Sequence, residues 1–144
     1  MKVQGGQQIW LRGYDILRAT FDSLIRTYKL GDATEVNLGG SSAGGHATYL
    51  HADSMADWVY AANKAAGKPL ARVIAMPDSG FWPESQRSAP FRDWFALQGN
   101  VTDGLPKNCK YKETNVTRCL FPEHFAGSCF GFVFWVRVLG SCSH

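Results

Sequence analysis

The chain has 144 residues, 45% of them hydrophobic and 19% charged, which suits one modest packed domain and excludes global disorder. The formal net charge is +3 and Lys and Arg are scattered along the chain, an argument against nucleic acid as the partner. No stretch approaches the roughly 20 apolar residues of a membrane-spanning helix; the longest apolar tract, residues 130–139, is broken by Gly131 and Arg137.

The opening run Met1-Lys2-Val3-Gln4-Gly5-Gly6 carries no apolar block of a signal peptide, so either the protein is not secreted or its true beginning is missing. Residues 8–11 are predicted as a short strand. From Gly13 to Tyr28, Ile16, Leu17, Phe21, Leu24, Ile25 and Tyr28 recur three and four apart, which predicts a helix with one apolar face and Arg18, Asp22 and Arg26 opposite. Gly31 is the expected stop signal. Residues 34–38 form a strand candidate that runs into a glycine- and serine-rich turn. A second helix is predicted from Ala43 to Ala65, with a stripe of Ala47, Leu50, Met55, Trp58, Val59 and Ala62, broken by Gly67-Lys68-Pro69. Residues 70–76, apolar and partly β-branched, are predicted as a buried strand leading to Asp78-Ser79-Gly80. Helices of crossover length between strands imply a parallel sheet with right-handed connections. From Phe81 onward the periodicity weakens, and Pro, Gly, Trp and Cys point to loops, short helices and a disulfide-tied excursion.

Gly40-Ser41-Ser42-Ala43-Gly44 matches the G-x-S-x-G pattern of a nucleophile elbow. A serine on a tight strand-to-helix turn is lifted above the sheet, and the glycines let neighbouring chain pass close by. The amide of the next residue, Ala43, then faces a developing oxyanion, helped by the positive end of the helix. A phosphate loop would need a Lys after the glycines, where His46 stands. Ser41 is a rival, but only Ser42 has glycines at both offsets. Asp78, at the carboxyl end of a strand, is a candidate to orient a histidine or else to shape its own turn. No histidine is a convincing base: His46 and His51 belong to the nucleophile helix as packing or surface residues, His124 sits in a Pro-Glu-His-Phe loop, and His144 is terminal.

The four cysteines, Cys109, Cys119, Cys129 and Cys142, lie in the last third and form no CxxC pair, so no metal is expected. Beside them stand two sequons, at Asn100 and Asn115, which favour an oxidising, extracellular setting with glycosylation at those asparagines.

Several segments together resemble the pectin acetylesterase family, which includes the Notum-type carboxylesterases. They are Leu11-Arg12-Gly13; Gly40-Ser41-Ser42-Ala43-Gly44-Gly45-His46 with Leu50-His51-Ala52-Asp53; Asp78-Ser79-Gly80-Phe81-Trp82; Leu97-Gln98-Gly99; Leu105-Pro106-Lys107-Asn108-Cys109; and Cys119-Leu120-Phe121-Pro122. The resemblance implies part of an α/β-hydrolase-like fold over residues 1–125, with a mostly parallel sheet, and a divergent tail over 126–144. It also implies Ser42 as nucleophile, the Ala43 amide in the oxyanion hole, and a disulfide between Cys109 and Cys119. The family's amino-terminal glycine-rich segment has no match here, and its triad acid and histidine come from motifs beyond Phe121-Pro122, so this chain is expected to be a truncated form with little or no turnover. A partial sheet would leave an unpaired edge and poor solubility.

The expected activity is that of a cofactor-free serine ester hydrolase, secreted or in the cell wall, that deacetylates a polysaccharide such as pectin. A Notum-like deacylase of a lipidated secreted protein is the near alternative. A non-catalytic fragment that binds glycans through Trp82 and Trp94 is the alternative of another class.

Overall fold

A computed structural model describes residues 12–82, 104–106, 109 and 115–121. Helix α1 spans Gly13–Tyr28, with Asp15 in its first turn and Arg26 in its last, each the charge that the helix dipole favours at that end. It stops at Tyr28 because Lys29 takes a left-handed conformation, φ 55° and ψ 43°, and donates its N–H to the Leu24 carbonyl. Gly31, expected as the stop, has another task. It lies in a 3-10 turn, Leu30–Asp32, where a Cβ would come within 2.7 Å of the Ala62 carbonyl oxygen. The apolar face of α1 is narrower than its spacing suggested. Phe21 is buried and Leu17 packs beside it, while Ile16 and Tyr28 are 65% and 73% exposed. Arg18, expected on the polar flank, lays its guanidinium 4.7 Å from the centre of the Trp58 ring.

Strands β1, Glu35–Ser41, and β2, Arg72–Asp78, pair in parallel, from Glu35 opposite Arg72 to Ser41 opposite Asp78. The pairing confirms an α/β arrangement with a parallel sheet; among the described residues the sheet has these two strands. Both strands end later than their apolar pattern predicted. Gly39 and Gly40 give no hydrophobic signal yet hold extended backbone opposite Met76 and Pro77. Pro77, which has no N–H to give to a ladder, stands next to last. The strand predicted over residues 8–11 falls outside the described residues.

Helix α2, Ala43–Ala65, packs on both strands. Its bounds are those the sequence predicted, and Gly67 leaves it at φ 65°. Its inner face joins Met55, Ala56 and Val59 to Phe21, Leu38, Ala71 and Val73 in the main core, with Val59 wholly buried. Burying an aliphatic side chain of this size contributes about 1.5–3 kcal/mol. Ala47 of the expected stripe is exposed instead. A second cluster forms where Leu105, Cys109, Cys119, Leu120 and Phe121 pack against Tyr49 and Leu50 of α2. A disulfide joins Cys109 to Cys119 there, as the family resemblance implied. Cys129, Cys142, Trp94, Asn100, His124, His144 and the whole 126–144 tail lie outside the described residues. No helix among the described residues is long and apolar enough to cross a membrane.

Candidate active site

The last residue of β1 is Ser41 and the first of α2 is Ala43, so Ser42 alone makes the turn. Its backbone stands at φ 55° and ψ −117°, in a region that a residue with a Cβ occupies only under strain of about 1–3 kcal/mol. Ser42 makes no side-chain cap bond to α2 and is exposed, so its hydroxyl is presented rather than spent on the helix. Ala43 is exposed too, and as the first helical residue it has no carbonyl one turn back to receive its N–H.

Three glycines make the turn possible, and they are not quite those of the pentapeptide pattern. A Cβ on Gly40 would sit 2.4 Å from the Gly44 carbonyl group. One on Gly45 would sit 2.3 Å from the Asp78 carbonyl oxygen, and one on Gly80 2.1 Å from the Gly45 carbonyl carbon. Gly44, by contrast, has nothing within 4 Å of its Cβ position. The close approach expected of Gly44 is made by Gly45, because the first turn of α2 presents position 45, not 44, to the end of β2. The Gly-Gly doublet and the later Asp-Ser-Gly were visible in the sequence; that they touch was not.

Asp78 ends β2 directly opposite Ser41. Its backbone carbonyl accepts the Ser42 N–H at 2.9 Å. Its carboxylate accepts two hydroxyls, from Ser41 to Oδ2 at 2.7 Å and from Ser79 to Oδ1 at 3.1 Å. Ser79 itself turns at φ 52°.

His46, one turn into α2, is buried and turned toward β2. Its ring stacks on Trp82 with centroids 4.6 Å apart and planes 14° apart. Its Nδ1 lies 3.4 Å from the Gly80 carbonyl, which can only accept, so the proton is assigned to Nδ1. Burial pulls the His46 pKa below the usual histidine value, against a smaller upward pull from that carbonyl. His51 is pulled down as well, chiefly by burial and then by the charge His46 would carry. Its ring lies 5.4 Å from that of Tyr14, and its Nδ1 is buried without a hydrogen-bond partner. Burial also raises the Tyr49 phenol. Among the described residues no group of His, Cys, Asp or Glu is arranged to hold a metal. One face of Trp82, proposed as a glycan-stacking surface, is covered by His46. Asn115, the sequon asparagine within the described region, is exposed, and its Oδ1 accepts from both the amide and the hydroxyl of Thr117.

A family model described as pectinacetylesterase matches residues 1–138. Pectin acetylesterase 5 of Arabidopsis thaliana is 30% identical over 129 aligned positions, a match that covers 85% of this chain and 28% of that protein. The chain thus spans under a third of the length of the curated relative it matches. No solved structure matches.

Proposed function

The chain belongs to the pectinacetylesterase family, and from that premise we propose that it is part of a serine carboxylic-ester hydrolase that removes O-acetyl groups from a cell-wall polysaccharide such as pectin. The observation that carries this reading is the Ser42 turn, strained and exposed between a parallel strand and a helix. The Ser42 hydroxyl attacks the acetyl carbonyl carbon and gives its proton to a base. The tetrahedral oxyanion is held in part by the Ala43 amide. Collapse expels the sugar oxygen, which takes up the proton, and leaves acetyl-Ser42. Water then releases acetate and restores the serine. No cofactor enters this sequence.

The base lies beyond the described residues, for His46 is committed to Gly80 and Trp82, and His51 packs against Tyr14. A secreted or cell-wall location, with a glycan on Asn115, accords with the disulfide. The test is hydrolysis of p-nitrophenyl acetate and acetylated pectin by the chain and by Ser42→Ala. Any turnover of the chain is expected to fall about a thousandfold or more in the variant. Equal rates in the two would overturn Ser42 as the nucleophile. Silence in both, from folded samples, would mean that this chain alone is no catalyst.

A further inference from the structure

Strain at Ser42 persists only if the surroundings fix it; on the helix side the Ser42 carbonyl accepts the His46 N–H at 3.0 Å, but its N–H and side chain are not held by the helix. The Asp78 side of the turn supplies what is missing. One residue, Asp78, holds the turn at two consecutive positions, through its main-chain carbonyl to the Ser42 N–H and through its carboxylate to the Ser41 hydroxyl. The second bond, at 2.7 Å, has the ordinary length of a well-formed O–H···O hydrogen bond. The carboxylate is itself aimed by Ser79 on its other oxygen. Both Asp78 oxygens are therefore engaged at the strand end.

We infer that Ser41 and Asp78 are a positioning pair, which holds the Ser42 backbone in its reactive turn without touching the reacting atoms. The inference rests on Ser42 being the nucleophile. It also gives the doubled serine of the motif a division of labour: Ser42 is presented, and Ser41 ties the strand end down.

The test uses the whole chain with a fluorophosphonate that esterifies active serines, followed at the Ser42 peptide by mass spectrometry over a concentration series. Exchange of the Ser42 amide with deuterated solvent is read in parallel. Ser41→Ala is expected to slow the maximal labelling rate about tenfold with unchanged half-saturating concentration, and to speed Ser42 amide exchange about tenfold. Ser41→Thr, which keeps a hydroxyl, is expected to restore both. Wild-type values of both readouts in Ser41→Ala overturn the inference. So does a change in only one of them, or a folded Ser41→Thr that rescues neither. Should Ser41→Ala not fold, Asp78→Asn, which keeps the shape and removes the charge, is read in the same two ways. If the wild-type chain does not label, this chain alone supplies no working base for Ser42, and amide exchange alone decides whether the tie holds the turn.

Discussion

At the scale of single residues, the turn is governed by which glycines touch backbone. Gly45 and Gly80 face main-chain atoms at 2.3 and 2.1 Å from their Cβ positions, and main chain cannot step aside as a flexible side chain can. Gly45→Ala and Gly80→Ala are therefore expected to destabilise by about 1–3 kcal/mol each. Gly44→Ala, with nothing within 4 Å and a helical backbone, is expected to be neutral or stabilising by up to about 1 kcal/mol. Urea midpoints of the three variants check this, and a Gly44→Ala variant as unstable as Gly45→Ala would sink the account. The sequence singled out Ser42 correctly as the turning residue, because glycine spacing reports local backbone. It misplaced the close approach by one residue, because Gly45 meets a strand end that lies 33 positions further along the chain (78 − 45).

At the scale of elements, α2 is tied to the turns that lead into the two strands by one buried amide. Asn63, wholly buried on α2, donates to the carbonyls of Gly31 and Ala33 at 2.9 and 3.2 Å and accepts the Ala71 N–H at 2.8 Å. It thereby closes the turn before β1 onto the turn before β2. Asn63→Leu would strand these backbone groups in an apolar setting, so a loss of about 2–4 kcal/mol is expected. Thermal melting of the variant tests it; a melting temperature within a degree of the wild type would refute the role. Nothing in the spacing of α2 pointed to Asn63, since periodicity weighs apolar residues and passes over a polar one on the inner face. Helix α2 was otherwise legible to its bounds, and the strands were legible in type and direction. Their ends were not, because Gly39, Gly40 and Pro77 are held by pairing and by Asp78 rather than by propensity.

At the scale of the whole molecule, stability should depend on pH through two histidines. Burial lowers the pKa of both His46 and His51 in the folded state. The unfolded chain binds protons at these sites from about pH 6.5 downward, while the folded chain still resists. In that window the unfolded state holds more protons, so stability rises with pH up to about 6.5 and declines on acidification below it. Denaturation midpoints between about pH 5 and 7.5 are expected to show this slope, and His46→Gln with His51→Gln to flatten it; an equal slope in the double variant would exclude these residues as its source. The two cores meet the same helix at different places, the larger through Met55, Ala56 and Val59, the disulfide-tied one through Tyr49 and Leu50. That second core was not predictable from periodicity, because a 3-10 helix of five residues, Val116–Leu120, is too short to show one.

The contact of Gly40, Gly45 and Gly80 has one more consequence. Main chain rests on main chain there, and main-chain atoms are the same whatever the side chains become. The Ser42 turn is thus insulated from drift in either apolar cluster. Side chains of either cluster can therefore be exchanged without altering the main-chain contacts that seat the serine.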